Sequence, residues 1–324
     1  MADPTVGVVI RCLNEEEHIG RLLTGLERQT RRPDQVVVVD SGSTDATVDI
    51  ASRYTADVLD IEPADFSFGR ALNIGCAHAD TDILVLVSAH VYPLYDTWLA
   101  QLVAPFADRK VALSYGRQVG DQRTKYSESR VLLKWFPASS IPRQTYPFCN
   151  NANAAVRRSL WRELPYDEDL TGLEDLDWAK RALARGFHLS YVAEAPVVHV
   201  HEESWGRIAN RYRREAIAYG RIMGRQGIGP LESLGLAVTN TLSDFVHAGR
   251  DRVLLQNLAG IPAFRAAQFW GAYRGFLDDD RVSDQLKHRF YYPLEVGSAR
   301  PVEAPGKPID YAAHEPPSEV RRRA

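Results

Sequence analysis

Residues 35–54, QVVVVDSGSTDATVDIASRY, decide the fold of this chain. They open with a strand made almost wholly of valine, which is typical of a parallel sheet covered on both faces. A short polar loop follows, in which Ser43 and Asp45 are residues that start helices, and apolar residues then recur at helical spacing. A buried strand, a polar loop and a helix in this order predict one half of a βαβ unit.

The same alternation continues on both sides of this stretch. Residues 6–10 and 83–87 are further apolar strands, and helical patterns follow them over 15–29 and 96–108. Strands that alternate with helices of this length predict right-handed crossovers and an α/β domain. Ligands bind beyond the carboxyl ends of the strands in such sheets, so the polar residues just after each strand are the candidate site.

The second half of the chain is less regular. Residues 173–186 predict a helix that a glycine ends, and 188–201 predict a pair of strands. Residues 204–290 have helical patterns almost throughout. The tail 291–324 is rich in proline and poor in aliphatic residues, so we expect it to be extended or disordered.

The composition excludes several classes of protein. A formal net charge of −3 over 324 residues gives no strong attraction to nucleic acid, which is not expected as a partner. The 3 cysteines are widely spaced and form no Cys-x-x-Cys pair, so reduced thiols in a cytoplasmic protein are expected. The sequence opens without a basic region, and no apolar run approaches the ~20 residues of a spanning helix, so neither a signal peptide nor a membrane span is predicted.

Asp40 ends the valine strand and precedes the loop SGSTD. A carboxylate in this place accepts hydrogen bonds from a ribose or from the imide of a base, as in dinucleotide-binding folds. The alternative is that Asp40 and Ser43 only cap the next helix. Capping explains Ser43 well, but Asp40 poorly, because Asp40 lies too far ahead of that helix.

Three carboxylates cluster in TGLEDLDW, residues 171–178. Thr171 and Glu174 fit a capping box, and acidic residues suit the first turn of a helix. Capping does not require Asp175 or Asp177, however. Neighbouring carboxylates raise each other's pKa, which produces a base able to take a proton from a sugar hydroxyl near neutral pH.

Three histidines stand at predicted strand ends: His90 after the strand 83–87, and His199 and His201 in VVHVH. Residues two apart in a strand point to the same face, so His199 and His201 are expected to face one cleft. A lone histidine is more often structural, but three at one cleft make a metal site an equally good interpretation.

The helix predicted over 204–226 has two contrasting faces. One is apolar; the other is a stripe of arginines, namely Arg207, Arg211, Arg214, Arg221 and Arg225. Such a helix lies on an anionic membrane or holds a phosphate, but it is equally an ordinary helix with a solvated cationic face.

Five motifs in sequence order resemble those of the inverting family 2 glycosyltransferases, which have the nucleotide-sugar-binding fold called GT-A. They are VGVVIRCLNEEEHIGRLLTGLERQT, VVVVDSGSTDAT, FGRALNIGCAHADTDILVLVSAHVYP, NNANAAVRRSLW and LTGLEDLDWAKRALARGF, and they span about residues 6–201, some 60% of the chain. The resemblance implies a Rossmann-like, mostly parallel sheet with a helical C-terminal extension.

It also implies a division of the chain. A GT-A domain would occupy 1–203, with a nucleotide-binding half over about 1–110 and an acceptor-side half over about 111–203. A helical region over 204–290 and the tail 291–324 would follow.

By the same resemblance, Asp175 is the catalytic base, with Glu174 beside it, and Asn14 and Glu15 flank the nucleotide. Asp40 would hold the base or ribose, and Arg70 would face the donor phosphates. The full implied donor-binding set is Arg11, Cys12, Asn14, Glu15, Asp40, Ser43, Arg70, Asn73, Ser88, Ala89 and His90. An acceptor hydroxyl, deprotonated by the base, would displace the nucleotide from the anomeric carbon, and positive charge would stabilise the departing phosphate.

Ser88, Ala89 and His90 stand where the family usually has Asp-x-Asp, whose carboxylates hold Mg²⁺ or Mn²⁺. The polypeptide N-acetylgalactosaminyltransferases are similar in having Asp-x-His and a later histidine. On that pattern His90 and His199 would be ligands, with His201 as a further candidate. Three interpretations stay open: a divalent cation (Mn²⁺ or Mg²⁺) held by these histidines and phosphate, which we favour; charge stabilisation by Arg70 without metal; or a donor with one phosphate, such as a CMP-sugar.

Two other functions compete with a glycosyltransferase. A nucleotidyltransferase would carry a glycine-rich basic loop after its first strand, whereas this chain has the acidic RCLNEEEHIG. A catalytically impaired nucleotide-sugar-binding protein would explain Ser88 but not the remaining carboxylates and histidines. The expected partners are a nucleotide-sugar donor and a glycan or lipid-linked acceptor in cell-surface polysaccharide synthesis, with peripheral contact at the inner membrane face through residues 204–226.

Overall fold

The valine-rich strand lies in a mixed β-sheet. The computed structural model describes residues 3–54, 56–224, 228–277 and 304–312. Its strands are β1 (Val6–Cys12), β2 (Gln35–Asp40), β3 (Asp57–Asp60), β4 (Ile83–Ser88), β5 (Val91–Pro93), β6 (Val111–Val119), β7 (Ile141–Gln144), β8 (Asn153–Arg157) and β9 (His188–His199). Its helices are α1 (Ile19–Glu27), α2 (Thr47–Ala51), α3 (Phe68–His78), α4 (Trp98–Val103), α5 (Tyr126–Trp135), α6 (Arg158–Glu163), α7 (Glu174–Ala184), α8 (Trp205–Met223), α9 (Pro230–Arg250), α10 (Leu254–Asn257) and α11 (Gly260–Phe276).

The predicted parallel half of the sheet is confirmed. The strand order is β3-β2-β1-β4-β8-β6-β9-β5, with β7 also paired to β9. Strand β1 pairs in parallel with β2 on one side and with β4 on the other, which places Cys12 opposite Asp40 and Arg11 opposite Ser88. The chain order reverses between β1 and β4, and this is where an open α/β sheet forms its ligand crevice.

Alternate residues of these strands pack into two hydrophobic cores, one on each face of the sheet. Val9, Val37 and Leu84 belong to the core on one face, while Val8 and Val38 belong to the core on the other. All five are essentially inaccessible to solvent. The run of valines is therefore buried on both sides, which is why it lacks the polar alternation of a half-exposed strand.

Two predictions of local structure were wrong. Residues 188–201 do not form a pair of strands: β9 is one strand of 12 residues. It pairs along its length with β6, at its start with β7 and at its end with β5. Strand β3 was not predicted, because it has only four residues and two of them are aspartates.

The C-terminal part of the chain is helical, as predicted, and Ile208, Tyr212 and Phe264 join it to the core of the sheet. Helix α11 packs mainly on α8 and α9, and these helices share an apolar cluster with residues that flank α7. A Cβ atom on Gly271 would lie 2.1 Å from the carbonyl oxygen of Ala209, and one on Gly275 would lie 2.4 Å from that of Arg213. Two glycines one turn apart thus let α11 touch the backbone of α8. Among the described residues, no helix is both long and apolar enough to cross a bilayer.

We expect Gly271→Ala to lower the free energy of unfolding by about 1–3 kcal/mol, because the added methyl group must push α8 and α11 apart. The matched control is Gly260→Ala in the same helix, where a Cβ meets nothing within 4 Å. That change should be neutral or slightly stabilising. Urea titration of both variants measures the difference; equal midpoints would contradict the close contact.

Part of the predicted tail is described. Residues 304–312 run extended beside β5, where the backbone N–H of Ile309 donates to the carbonyl oxygen of Leu94 at 3.0 Å. The hydroxyl of Tyr311 donates to the carbonyl oxygen of Pro93 at 2.7 Å, and its ring packs on Tyr92. The rest of the predicted tail, 291–303 and 313–324, lies outside the described residues, as do 278–290 of the predicted helical region.

Candidate active site

A cleft of about 840 Å³ opens at the carboxyl ends of β1 and β4. Its walls come from the loops after these strands, from the end of β9, from the start of α7 and from α5 and α8. The predicted site residues that line it are Arg11, Asn14, Glu15, Ser88, His90, Glu174, Asp175, His199 and His201.

Asp40 is not among the residues that line the cleft. Its carboxylate lies behind the cleft and accepts hydrogen bonds from the backbone N–H groups of Gly42 and Ser43 at 3.0 and 2.8 Å and from the Ser43 hydroxyl at 2.5 Å. The Cys12 thiol donates to it at 3.3 Å. Ser43 in turn accepts from the backbone N–H of Asn14 at 2.8 Å. Asp40 and Ser43 thus link the loop after β2 to the loop after β1.

Arg70, Asn73 and Ala89 also lie outside the cleft lining. Arg70 is half exposed and faces Asp65 at 3.8 Å. The side-chain amide of Asn73 donates to the carbonyl oxygen of Tyr166 at 2.9 Å and accepts from its N–H at 2.9 Å, so it anchors the loop after α6. Ala89 is fully buried.

Asp175 faces the cleft from the first turn of α7, although only 7% of it is exposed. Its carboxylate accepts hydrogen bonds from the backbone N–H of Asn151 at 3.1 Å and from that of Leu176 at 2.7 Å. Burial, and then the neighbouring carboxylate of Glu174, raise the pKa of Asp175 to about 7. A carboxyl group in this state is able to accept a proton near neutral pH.

The capping-box interpretation of Thr171 and Glu174 was wrong. Helix α7 begins at Glu174 itself, after Leu173 in the left-handed conformation, and no side chain caps it. The Thr171 hydroxyl donates instead to the carbonyl oxygen of Arg214. Glu174 is therefore free to turn toward the cleft, where its carboxylate lies 3.5 Å from the Arg11 guanidinium. Asp177 points elsewhere and pairs with Arg181 at 2.7 Å.

His90, His199 and His201 form one cluster in the cleft. One ring nitrogen of each lies within 4.8 Å of the others, and the Nε2 atoms of His199 and His201 are 2.8 Å apart. The rings of His90 and His199 are stacked with their centroids 5.0 Å apart.

The Nδ1 atom of each ring forms a hydrogen bond with a side-chain oxygen of a residue outside the cluster. The partners are Glu15 Oε1 for His90 at 2.6 Å, Gln118 Oε1 for His199 at 2.6 Å and Glu128 Oε1 for His201 at 2.7 Å. A neutral imidazole that donates from Nδ1 carries its lone pair on Nε2, and an oxygen partner on Nδ1 is the usual second shell of a metal-bound histidine.

The protein favours the neutral form of two of these rings. Burial lowers the pKa of His199 well below its usual value, and the neighbouring His201 and His90 lower it further. Burial also lowers the pKa of His201, together with the charge of Arg211. Neutral imidazoles whose Nε2 lone pairs face each other repel unless a proton or a cation lies between them. The donor set therefore fits a divalent ion that accepts imidazole ligands.

Four arginines line the cleft: Arg11 and, from α8, Arg207, Arg211 and Arg214. Arg11 and Arg214 lie over the ring of Phe68, with their guanidinium carbons 5.1 and 5.3 Å from its centroid. In the described part of the chain, the buried Nε of each of these two has no hydrogen-bond partner. Unpaired buried donors next to an open cleft are suited to an anionic ligand.

The arginine stripe of α8 therefore does not form a free cationic surface. Arg211 is largely buried and pairs with Glu128 at 2.5 Å and with Glu203 at 2.8 Å. Arg221 donates to the carbonyl oxygen of Asp169, and Arg225 lies outside the described residues. The predicted membrane contact through residues 204–226 is not supported, because Arg207, Arg211 and Arg214 line the cleft and Arg211 is paired there with two carboxylates.

Sequence reasoning missed several residues of the cleft. Phe68, Gln118 and Glu128 were not predicted, and Arg214 was noticed only as a member of the stripe. The sequence around Gln118 and Glu128 does not indicate a role in the cleft, because these residues lie in β6 and α5 and contact histidines that are distant in the chain. Phe68 is the only one of these residues that belongs to a family motif, FGRALN. Its position at the start of α3 could have indicated that it lies at the cleft.

Solved structures define the fold class. The chain is similar to the mannosyltransferase PcManGT from Pyrobaculum calidifontis, solved with GDP-Man and Mn²⁺, at a TM-score of 0.59 and 20% identity over 86% of this chain and 88% of that chain. It is also similar to glucosyl-3-phosphoglycerate synthase from Mycobacterium tuberculosis, at a TM-score of 0.51 and 21% identity over 70% of this chain and 83% of that chain. The GT-A fold predicted from the motifs is confirmed.

Sequence comparison gives the family. Residues 7–164 match Glycosyl transferase family 2, so the chain contains a domain of that family. It is 29% identical over 198 residues to the O-antigen chain rhamnosyltransferase WbaN of Salmonella anatum, covering 57% of this chain and 62% of that protein. It is 28% identical over 202 residues to the glycosyltransferase AglE of Haloferax volcanii, covering 58% of this chain and 64% of that protein. The chain thus matches less than two thirds of the length of either relative.

Proposed function

We propose that this protein is an inverting glycosyltransferase that moves a sugar from a nucleotide-sugar donor to a hydroxyl of a glycan or lipid-linked saccharide. One observation carries the proposal: a buried carboxylate with a pKa near neutrality, Asp175, shares a cleft with a histidine cluster and with two arginines, Arg11 and Arg214, whose buried Nε atoms have no hydrogen-bond partner. A base activates the acceptor hydroxyl, and a cation site and anion-binding donors stabilise the nucleoside diphosphate as it leaves.

In this proposal Asp175 takes the proton of the acceptor hydroxyl. The two backbone N–H groups that bind its carboxylate fix its orientation. The deprotonated oxygen attacks the anomeric carbon on the face opposite the nucleotide, the bond to the phosphate oxygen breaks, and the configuration inverts. Glu174 tunes the base rather than reacting, because its own carboxylate lies against Arg11.

The charge that develops on the departing phosphate needs donors that are already in place. Arg11 and Arg214, which both lie over the ring of Phe68, supply these donors. Arg70, which the family pattern nominates for this role, faces Asp65 away from the cleft lining. We therefore assign the charge stabilisation first to Arg11 and Arg214.

His90, His199 and His201 would hold a divalent cation through Nε2. The cation would supply Lewis-acid charge to the diphosphate. Three imidazoles favour Mn²⁺ and later transition-metal ions over Mg²⁺, which prefers oxygen ligands. Of the two ions expected from the sequence, Mn²⁺ is therefore the one that we propose. Ser88 is not a ligand in this proposal.

A panel of sugar nucleotides tests the function: release of nucleotide from UDP-, GDP-, TDP- and CMP-sugars, with and without Mn²⁺. TDP-rhamnose is the first donor to test, since two relatives are named O-antigen chain rhamnosyltransferases. Release that Mn²⁺ stimulates supports the proposal. Tight nucleotide binding without turnover favours an impaired binding protein, and formation of a sugar nucleotide from a nucleoside triphosphate favours a nucleotidyltransferase.

We expect Glu174→Gln to move the acid limb of the kcat/KM profile to lower pH. The negative charge of Glu174 helps to raise the pKa of Asp175. Without it, the base loses its proton at lower pH, while burial still holds its pKa above the ordinary value. The control is Glu163→Gln, which removes an exposed carboxylate paired with Arg185 outside the cleft. A shift to higher pH, or the same shift in the control, would contradict the assignment.

A further inference from the structure

Helix α9 carries an exposed row of aliphatic side chains. Leu231, Leu234, Val238, Leu242 and Val246 recur every three or four residues and are 48% to 84% exposed. Their spacing puts them on one face, and the row extends about 22 Å at the rise of an α-helix. A continuous exposed row of this length marks a surface that contacts something apolar.

The polarity of this helix is reversed relative to that of an ordinary surface helix. Four of the six buried residues of α9 are polar, namely Ser233, Asn240, Asp244 and His247, and the other two are Leu236 and Ala248. Asp244 is only 3% exposed and pairs with the equally buried Arg265 of α11 at 2.8 Å. A helix on a water-exposed surface turns its apolar side inward and its polar side outward.

No charged side chain interrupts the outer face between residues 231 and 249. The exposed residues there are Leu231, Leu234, Gly235, Val238, Thr239, Leu242, Val246 and Gly249. The next exposed residues are Arg250, Asp251 and Arg252, and the carboxylate of Asp251 accepts a hydrogen bond from the Tyr126 hydroxyl at 2.7 Å. Just beyond them, Leu255 and Leu258 of α10 are exposed as well, at 84% and 48%.

We propose that the outer face of α9, together with α10, docks on an anionic phospholipid surface. The leucine and valine side chains enter the boundary between head groups and acyl chains, and Arg250 and Arg252 contact the phosphates. A lipid surface explains an apolar row that ends in arginines and resumes in the next helix. A second copy of the chain explains it less well, because protein interfaces surround their apolar centre with a polar rim, whereas Thr239 is the one polar side chain among the exposed residues from 231 to 249.

The surface is separate from the cleft. None of the residues named for it lines the cleft, so the proposal stands or falls independently of the proposed function. It places the membrane contact on α9 and α10, not on the arginine stripe of α8.

Flotation of the full chain with vesicles tests the proposal. The vesicles contain equal parts of phosphatidylcholine and phosphatidylglycerol, and the comparison set contains phosphatidylcholine alone. We expect the protein to float with the anionic vesicles, less so at high salt, and the double change Leu234→Glu with Leu242→Glu to lower the bound fraction at least tenfold. Asn210→Glu, on an exposed position of α8, is the control and should bind like the original protein.

A second measurement uses the buried cysteines. Cys12, Cys76 and Cys149 are all buried, so a Leu242→Cys variant has one accessible thiol for a polarity-sensitive dye. Its emission should shift to the blue on addition of anionic vesicles. Nucleotide release and the melting temperature of both α9 variants should stay unchanged, which separates loss of docking from loss of fold or activity. No flotation, an unchanged dye spectrum, or a wild-type dimer in light scattering that Leu242→Glu dissociates would overturn the proposal.

Discussion

Asp175→Asn is expected to lower kcat by about a thousandfold, the middle of the range for loss of a general base. Asparagine keeps the size of the side chain but cannot accept the proton of the acceptor hydroxyl. KM for the donor should change little, since Asp175 is assigned to the acceptor. Single-turnover measurement with saturating donor isolates the chemical step from product release.

The matched control is Asp177→Asn, two residues along the same helix. Its carboxylate pairs with Arg181 and does not line the cleft, so activity should fall by less than about twofold. The Asp175 variant should also remain folded, because it removes a buried charge beside Glu174 even though it weakens one of two backbone hydrogen bonds. Equal losses in the two variants, or a folded Asp175→Asn protein with near-normal kcat, would exclude Asp175 as the base.

The position of the site was readable from the sequence because it depends on local patterns. Parallel strands appear as apolar runs, and their carboxyl ends lie at one edge of the sheet. This is why Arg11, Ser88 and His90 could be placed near each other without any knowledge of long-range contacts. His199 and His201 were harder, since β9 had to be recognised as a strand that ends at the same edge.

Other side-chain orientations depend on contacts that the sequence does not encode locally. Asp40 is oriented into the protein because its carboxylate accepts hydrogen bonds from the backbone N–H groups of its own loop. Three arginines of α8, Arg207, Arg211 and Arg214, line the cleft, and Arg211 pairs there with Glu128 and Glu203. In α9 the deciding contact is the buried pair of Asp244 and Arg265. Each of these orientations is set by a partner far away in the chain or by geometry within a loop.

His199→Ala and His201→Ala should each weaken Mn²⁺ binding by at least about a hundredfold, since removal of a ligand is more severe than the 10–100-fold loss known for outer-shell changes. Both rings point Nε2 at the same spot, 2.8 Å apart, and neither loss can be replaced by Ser88. Isothermal titration of the protein with Mn²⁺ alone measures the affinity without any turnover. Titration with Mg²⁺ should give much weaker binding, because imidazole is a poor ligand for that ion.

The control for these variants is His188→Ala, which removes another buried histidine that faces Asp108 outside the cluster. It should bind Mn²⁺ as the original protein does. Glu128→Gln provides a graded test: it keeps an oxygen near His201 Nδ1 but removes the charge that polarises the ring, so affinity should fall by about tenfold. If Mn²⁺ binds equally to all four proteins, the three histidines are not the cation site, and charge stabilisation rests on Arg11 and Arg214 without metal.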